Sequence, residues 1–277
     1  MNSSVGPSGQ VRHLGRPEPF RADSGDLLVR KYVDKAMLAE SIAAGNTPLN
    51  CDWSAFPVPS GALPTPDTDP LYNNVAGCCV LAGPGHMVNR IAKQVGRPGL
   101  VVTAAMVQAA YSKYTGYVPG DPSTDNGWII RNMLQAWSTD GLYGTKAVAF
   151  GIVDLTNPDE VALANWIGMG TIGGYNLPLA AQSQNDAQGR PQWSVPPGGF
   201  TSANGPGTWG GHCMWTHGPQ NANTWGESAI WTMPWQIACC DEMWLVAVDV
   251  ANVAGRVPAG FAWADFLADV QARIKSK

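Results

Sequence analysis

Four side chains could do chemistry together here: Asn73, Cys79, His212 and Asn223. A thiol attacks a carbonyl only as its thiolate, and thiolates are favoured at helix N-termini and beside an imidazolium. Cys79 follows the turn Ala76-Gly77-Cys78 and precedes the apolar run Val80-Leu81-Ala82. A helix dipole would therefore point at its sulfur. His212 follows Gly210-Gly211 and opens a strand-like run. Glycines there allow another chain to approach the backbone closely. A histidine acting as base needs a partner that fixes its tautomer. Asn223 could supply an amide oxygen to one ring nitrogen and leave the other for Cys79. Asn73, six residues before the thiol, could donate its amide to an oxyanion. The chemistry would be acyl transfer through a thioester.

Each residue also has a plainer reading. Cysteine is often a small buried hydrophobe, a histidine at a strand start is commonly structural, and a loop asparagine commonly serves a turn. Cys78 competes with Cys79 but sits one residue outside the helix. Asn221 competes with Asn223, which is preferred because Trp225-Gly226 follows closely. His86 lies two helical turns beyond Cys79, which fits a packed residue better than a ligand. His217, in Thr216-His217-Gly218-Pro219, reads as a surface residue.

The elements that must position these groups follow from periodicity. Residues 1–25 lack a hydrophobic period and read as an extended arm. Asp26 to Ala44 reads as an amphipathic helix ending at Gly45, and 46–78 as a Pro-rich loop. Helices follow at Cys79–Gln94, at Thr103–Tyr114 with Thr103 as cap and Gly116 past its end, and at about Gly127–Trp137. Gly83-Pro84-Gly85 falls inside the first of these and predicts a kink or a late start. Lys146–Val153 and Gly170–Leu177 read as strands flanking a helix at Pro158–Trp166. Residues 183–211 form a long loop, and strands return at His212–Thr216, Ser228–Met233 and Met243–Val250. An amphipathic helix closes the chain at Phe261–Ile274. Helices come first and strands second, which implies an α+β architecture. The divisions are 1–50 (arm and helix), 51–140 (helical lobe with the nucleophile), 141–255 (mostly β lobe with His and Asn) and 256–277 (closing helix).

Composition narrows the functions. In 277 residues only 14% are charged, and the net charge is −4. The 17 Lys and Arg are scattered rather than striped, so nucleic acid is not an expected partner. No apolar stretch reaches the roughly 20 residues of a membrane span, and no apolar segment of a signal peptide follows Met1. The six cysteines, including the vicinal pairs 78/79 and 239/240, lack both a disulfide framework and zinc-ligand spacing. Reduced thiols, no metal and no cofactor are expected. Twelve Trp predict either thick core walls or adhesive surfaces.

The motifs together resemble the papain-like cysteine peptidase superfamily. Asn73, Gly77, Cys78 and Cys79 fill the slots of its oxyanion amide and Gly-small-Cys turn. Asp52-Trp53 matches its upstream Asp-Trp pair, Gly211-His212 its small-His motif, and Asn223-Thr224-Trp225-Gly226 its Asn-Ser-Trp-Gly. The resemblance implies a helical lobe and a β-barrel-like lobe with a cleft between them. It implies Cys79 as nucleophile, His212 as base, Asn223 as orienter, Asn73 as oxyanion donor, and Trp225 as shield of the Asn–His bond. Asn73 is one methylene shorter than the family's Gln, Cys78 replaces its usual Asp, and the chain before Asp52 is shorter than its helical inhibitory prodomain. Gly77-Cys78-Cys79, Ala82 to His86-Met87, Ala110-Tyr111-Ser112, Thr115-Gly116-Tyr117, Asp121 to Asp125 and Leu177-Pro178 also resemble papain-fold proteins of bacteriophages and prophages.

Two functions are expected. One is a virion-associated structural protein, made in a bacterial host's cytoplasm, whose N-terminal arm docks on other virion proteins of capsid or tail. The other is an active cysteine peptidase or amidase acting on a peptide or isopeptide.

Overall fold

The structure is a computed structural model and describes residues 3–7, 9–21, 26–48, 50–61, 67–251 and 253–275. It opens with a hairpin, β1 (Ser3–Val5) paired antiparallel with β2 (Val11–His13). The helix expected over Asp26–Ala44 is divided. A 3₁₀ turn at Val29–Tyr32 ends at Val33, and α1 (Lys35–Ala43) restarts where the Asp34 carboxylate accepts from the N–H groups of Ala36 and Met37. An N-cap aspartate satisfies first-turn donors and so fixes a new start.

Helix α2 (Cys79–Gln94) is buried on nearly every side, as a central helix must be. It runs from Cys79 through Pro84 without interruption, against the late start that was one of the two expectations there. Its neighbours explain this. A Cβ at Gly83 would lie 3.4 Å from the Trp215 backbone nitrogen, and one at Gly85 would lie 2.7 Å from the Leu71 side chain. The glycines let the helix seat tightly on both sides, and that packing offsets the roughly 3 kcal/mol of an interior proline. Helix α3 (Ala104–Thr115) carries the Thr103 cap and a left-handed Gly116, and α4 is Ile130–Thr139.

Among the described residues the second half forms one seven-stranded sheet. Its strands are β3 (Ala147–Ile152), β4 (Thr171–Leu177), β5 (Gln192–Trp193), β6 (Gly210–Gly218), β7 (Asn221–Thr224), β8 (Glu227–Trp231) and β9 (Cys240–Val248). Their order is β3-β9-β4-β6-β7-β8-β5, antiparallel except for β5 on β8. The sheet is open where a barrel was expected. Its last strand has two residues, too few to reach back to β3. Helix α5 (Pro158–Gly168) begins at an Asn157 cap, α6 is Met233–Cys239, and α7 is Trp263–Lys275.

Helix α2 packs on β6, so its N-terminus meets the strand that begins with Gly210-Gly211-His212. The opposite face of the sheet carries an aromatic layer, in which Trp193 and Trp235 stack at 4.8 Å and Trp235 stacks on Tyr175 at 6.0 Å. The tryptophans thus build core walls: Trp53, Trp137, Trp193, Trp209, Trp225, Trp235 and Trp244 are all fully buried.

Candidate active site

The six cysteines are free and buried, Cys79 included. Cys79 is the first residue of α2, as the helix-start reading requires. The turn before it is braced by a residue the sequence did not single out. The Asp125 carboxylate accepts from Gly77 N–H at 3.1 Å and from the Tyr111 hydroxyl at 2.7 Å, and that hydroxyl accepts from Gly127 N–H. The competing thiol, Cys78, points back toward the Leu71 carbonyl.

On the sheet side the Cys79 sulfur lies at the backbone N–H of Cys213, one residue beyond His212. His212 is fully buried. Its Nε2 meets Thr224 Oγ1 at 2.5 Å, and its Nδ1 has no hydrogen-bond partner. Thr224, rather than Asn223, therefore orients the ring. Strand register is the reason. Asn223 pairs with Trp215, so it shares that residue's face, whereas Thr224 falls on the face of Met214 and His212. Asn223 instead donates to the Asp67 carbonyl at 2.7 Å. The rejected alternative, Asn221, donates to Asp52.

The register is locked by a two-residue hairpin. Trp225 and Gly226 both have positive φ (52° and 75°), between paired Thr224 and Glu227. Such turns match the twist of a β-hairpin but favour Asn or Gly, so a Trp there stores strain. The indole is put to use, stacking on the His212 ring at 4.2 Å and donating from Nε1 to the His13 carbonyl at 2.9 Å. It thus covers His212, whose ring partner is Thr224 rather than the expected Asn223.

Asn73 is buried, and its amide already holds a peptide carbonyl, donating to His13 O at 3.2 Å and to Ala76 O at 3.0 Å. His13 belongs to the arm. Residues 13–16 form a strap that passes over the Cys79 sulfur, with the Gly15 amide against it. His13 N–H donates to Asn73 O, the Gly15 carbonyl accepts from Trp128 N–H, and Arg16 N–H donates to Gly211 O at 3.1 Å in an antiparallel bridge. Glycines line its path. A Cβ on Gly15 would lie 1.6 Å from Gly77 O, one on Gly127 2.0 Å from Gly15 O, and one on Gly211 2.1 Å from Arg16 O. Two buried arginines anchor the strap. Arg12 pairs with Glu227 at 2.8 Å and lies 5.6 Å over the Trp225 ring, and Arg16 pairs with Asp241 and Glu242. Residues 12–16 of the arm, which was expected to dock on other virion proteins, are thus held by contacts within this chain.

Closure sets the electrostatics. Burial raises the Cys79 thiol to about 11, against partial relief from the Cys213 and Gly15 amides and the Arg16 charge. Burial lowers His212 to about 3, and the Arg16 guanidinium pushes the same way. Thiol and imidazole are both neutral in this closed arrangement.

The other histidines are structural. His86 Nδ1 meets Asp67 at 2.9 Å. His217, expected at the surface, is buried with Nδ1 2.9 Å from Asp52. Burial alone would raise the Asp52 carboxyl, but the donors His217 and Ser54 outweigh it and hold it at about 2. Trp53 beside it donates to Asn165 O and stacks on Trp166 at 5.4 Å. The Asp52-Trp53 pair is thus an inter-element clamp. No cluster of metal-ligating side chains occurs among the described residues, and no described helix is long and apolar enough to cross a membrane.

No protein-family model matches the chain, and no curated protein sequence does. Among solved structures it is similar to xylellain, a cysteine protease from Xylella fastidiosa. The TM-score is 0.58 at 13% identity, over 85% of this chain and 96% of that one. The likeness is one of fold: α+β and papain-like, with a mostly antiparallel sheet.

Proposed function

We propose that this protein is a cysteine peptidase held closed by its own N-terminal strap. The strap itself carries the reading. An extended peptide lies in a glycine-walled groove, hydrogen-bonded through its main chain to Asn73, Trp128 and Gly211, with its Gly15 amide at the Cys79 sulfur. A groove that grips backbone in this way takes a peptide of many sequences. In the open state Cys79 loses its proton to His212 Nδ1, while Nε2 stays on Thr224. The thiolate attacks a peptide carbonyl, and the oxyanion takes the Asn73 amide that now holds His13 O. Collapse to a thioester breaks the C–N bond, and the leaving amine takes the proton from His212. Water then attacks the thioester with His212 as base and releases the acid and the thiol.

The virion reading drew its strength from an arm that something must hold. Residues 12–16 are held by this chain's own cleft, so the peptidase reading takes precedence. The test is hydrolysis of a fluorogenic peptide library by the full chain carrying Gly15→Leu, which forces the strap off Gly77. Turnover that vanishes with Cys79→Ala supports the reading. No turnover of any peptide, although Cys79 has become open to alkylation, would sink it.

A further inference from the structure

The Arg16 side chain is 1% exposed, on a segment that otherwise crosses the groove by its backbone. Both terminal nitrogens of its planar fork are met, while the buried Nε has no hydrogen-bond partner among the described residues. Nη1 and Nη2 reach the two Asp241 oxygens at 3.2 and 2.8 Å, Nη1 also reaches Glu242 at 3.1 Å, and Nη2 donates to Asn176 Oδ1 at 2.7 Å. The walls are built for this. The second Glu242 oxygen accepts from Trp244 Nε1 at 2.6 Å, and the Asn176 amide donates to Asp241 at 3.0 Å. A Cβ on Gly174 would stand 2.5 Å from Glu242 Cγ, so a glycine there makes room for the carboxylate.

Emptied of its guanidinium, the pocket would leave adjacent Asp241 and Glu242 facing a cleft without a counter-charge. Glu242 is only 5% exposed. Burial already raises the Glu242 carboxyl, and the Arg16 charge opposes that rise. An unpaired buried charge is strongly unfavourable, so the opened pocket selects a cation. Acceptors spread over Asp241, Glu242 and Asn176 around both terminal nitrogens fit a planar guanidinium better than the point charge of a lysine.

We propose that the Asn176–Asp241–Glu242 pocket is the specificity pocket of this site, taking an arginine side chain of a peptide substrate one residue from the strap's contact with Cys79. The strap is then a pseudosubstrate whose Arg16 occupies the subsite that substrate arginine takes on opening. This rests on the peptidase reading, and its test is binding rather than turnover. The protein is the full chain with Gly15→Leu and Cys79→Ala. The probes are fluorescent peptides of residues 10–20 with Arg, Lys or Leu at position 16, followed by anisotropy. The Leu peptide should bind about 100-fold more weakly than the Arg peptide, as expected when a buried charge pair loses one member, with Lys between them. Asp241→Asn should erase most of that gap. Equal binding of the Arg and Leu peptides overturns the proposal.

A second arm does not depend on Gly15. The Arg16→Ala full chain should gain thermal stability from millimolar ethylguanidinium, and Arg16→Ala with Asp241→Asn should not. Absence of that rescue also overturns the pocket. Arginine-selective binding without hydrolysis by the Cys79-bearing chain leaves the pocket standing and removes the peptidase. Hydrolysis without arginine preference does the reverse.

Discussion

Replacing Gly15 by Leu should turn Cys79 from a silent thiol into a reactive one. The new Cβ would stand 1.6 Å from Gly77 O and 2.2 Å from its carbonyl carbon, both backbone atoms of a turn braced by Asp125. The strap must leave. In the closed protein the thiol is raised to about 11. At pH 7.5 that leaves about 3 in 10,000 molecules as thiolate, against about one in ten for a thiol near 8.5. Opening thus raises the thiolate population about 300-fold. Nucleophilicity falls as basicity falls, with a Brønsted coefficient of about 0.45, which returns about 13-fold over that interval. The net expectation is alkylation of Cys79 about 20-fold faster, before any gain from exposure. The assay is iodoacetamide labelling at pH 7.5 with each cysteine followed by peptide mass. Cys78 and Cys213, both raised well above the usual thiol range by burial, serve as internal controls. A lowered melting temperature would report that the clash had acted. If it falls while the Cys79 rate stays unchanged, the strap does not gate the thiol and the reasoning fails.

Thr224→Val keeps the shape but removes the oxygen that meets His212 Nε2. In the strap-opened background it should lower kcat about 10- to 100-fold with little change in KM, whereas Asn223→Ala should leave kcat within a few-fold; the opposite ranking would restore Asn223 as orienter. Trp53→Ala removes a 2%-exposed indole clamped between Asn165 and Trp166, and should cost about 3–5 kcal/mol in urea unfolding. His212 gives a pH signature. Its folded pKa lies below its unfolded one, so the unfolded chain binds the extra proton and stability falls as pH drops through the window from about 6.5 toward 3. Between pH 8 and 5 the loss from this group is about 2 kcal/mol, and His212→Gln should remove it. A His212→Gln protein as acid-sensitive as the parent would refute the assignment.

Local signals made much of this protein readable, and long-range ones hid the rest. The α2 bounds, the Thr103 and Gly116 caps of α3 and the start of α5 are written within a few residues of where they act. Strand β7 is not, because Asn221-Ala222-Asn223-Thr224 has neither apolar alternation nor β-branched content beyond its last residue. Helix α6 was left unassigned beyond Met233, which was read as the last residue of a strand, although Pro234 suits a first helical turn. The choice between Asn223 and Thr224 turns on parity against β6, which only pairing decides. His217 is buried because Asp52, 165 positions away, receives it. Asp125 ends a segment whose turn residues were legible but whose carboxylate could have pointed anywhere, and its partner Tyr111 sits on α3.

The arm shows the same limit most sharply, and there it bears on mechanism. Residues 1–25 carry no period because the strap is held by main-chain contacts and two arginines, neither of which needs one. Those arginines find carboxylate partners 215 to 226 positions away. The strap's main-chain contacts look sequence-tolerant and its arginines sequence-specific, which is the division of labour a peptide-binding groove needs. The same contacts account for the neutral thiol and imidazole. Covering Cys79 and His212 removes the water that an ion pair of thiolate and imidazolium needs, and Arg16 adds a positive charge that disfavours the imidazolium. Exchange of strap for substrate would keep a guanidinium in the pocket. Release of the strap with an empty pocket would lift that bias, hydrate the site and let the ion pair form. On the peptidase reading, a strap that blocks the groove also holds the Cys79 thiol protonated by burial, so its displacement would uncover the groove and the thiol together.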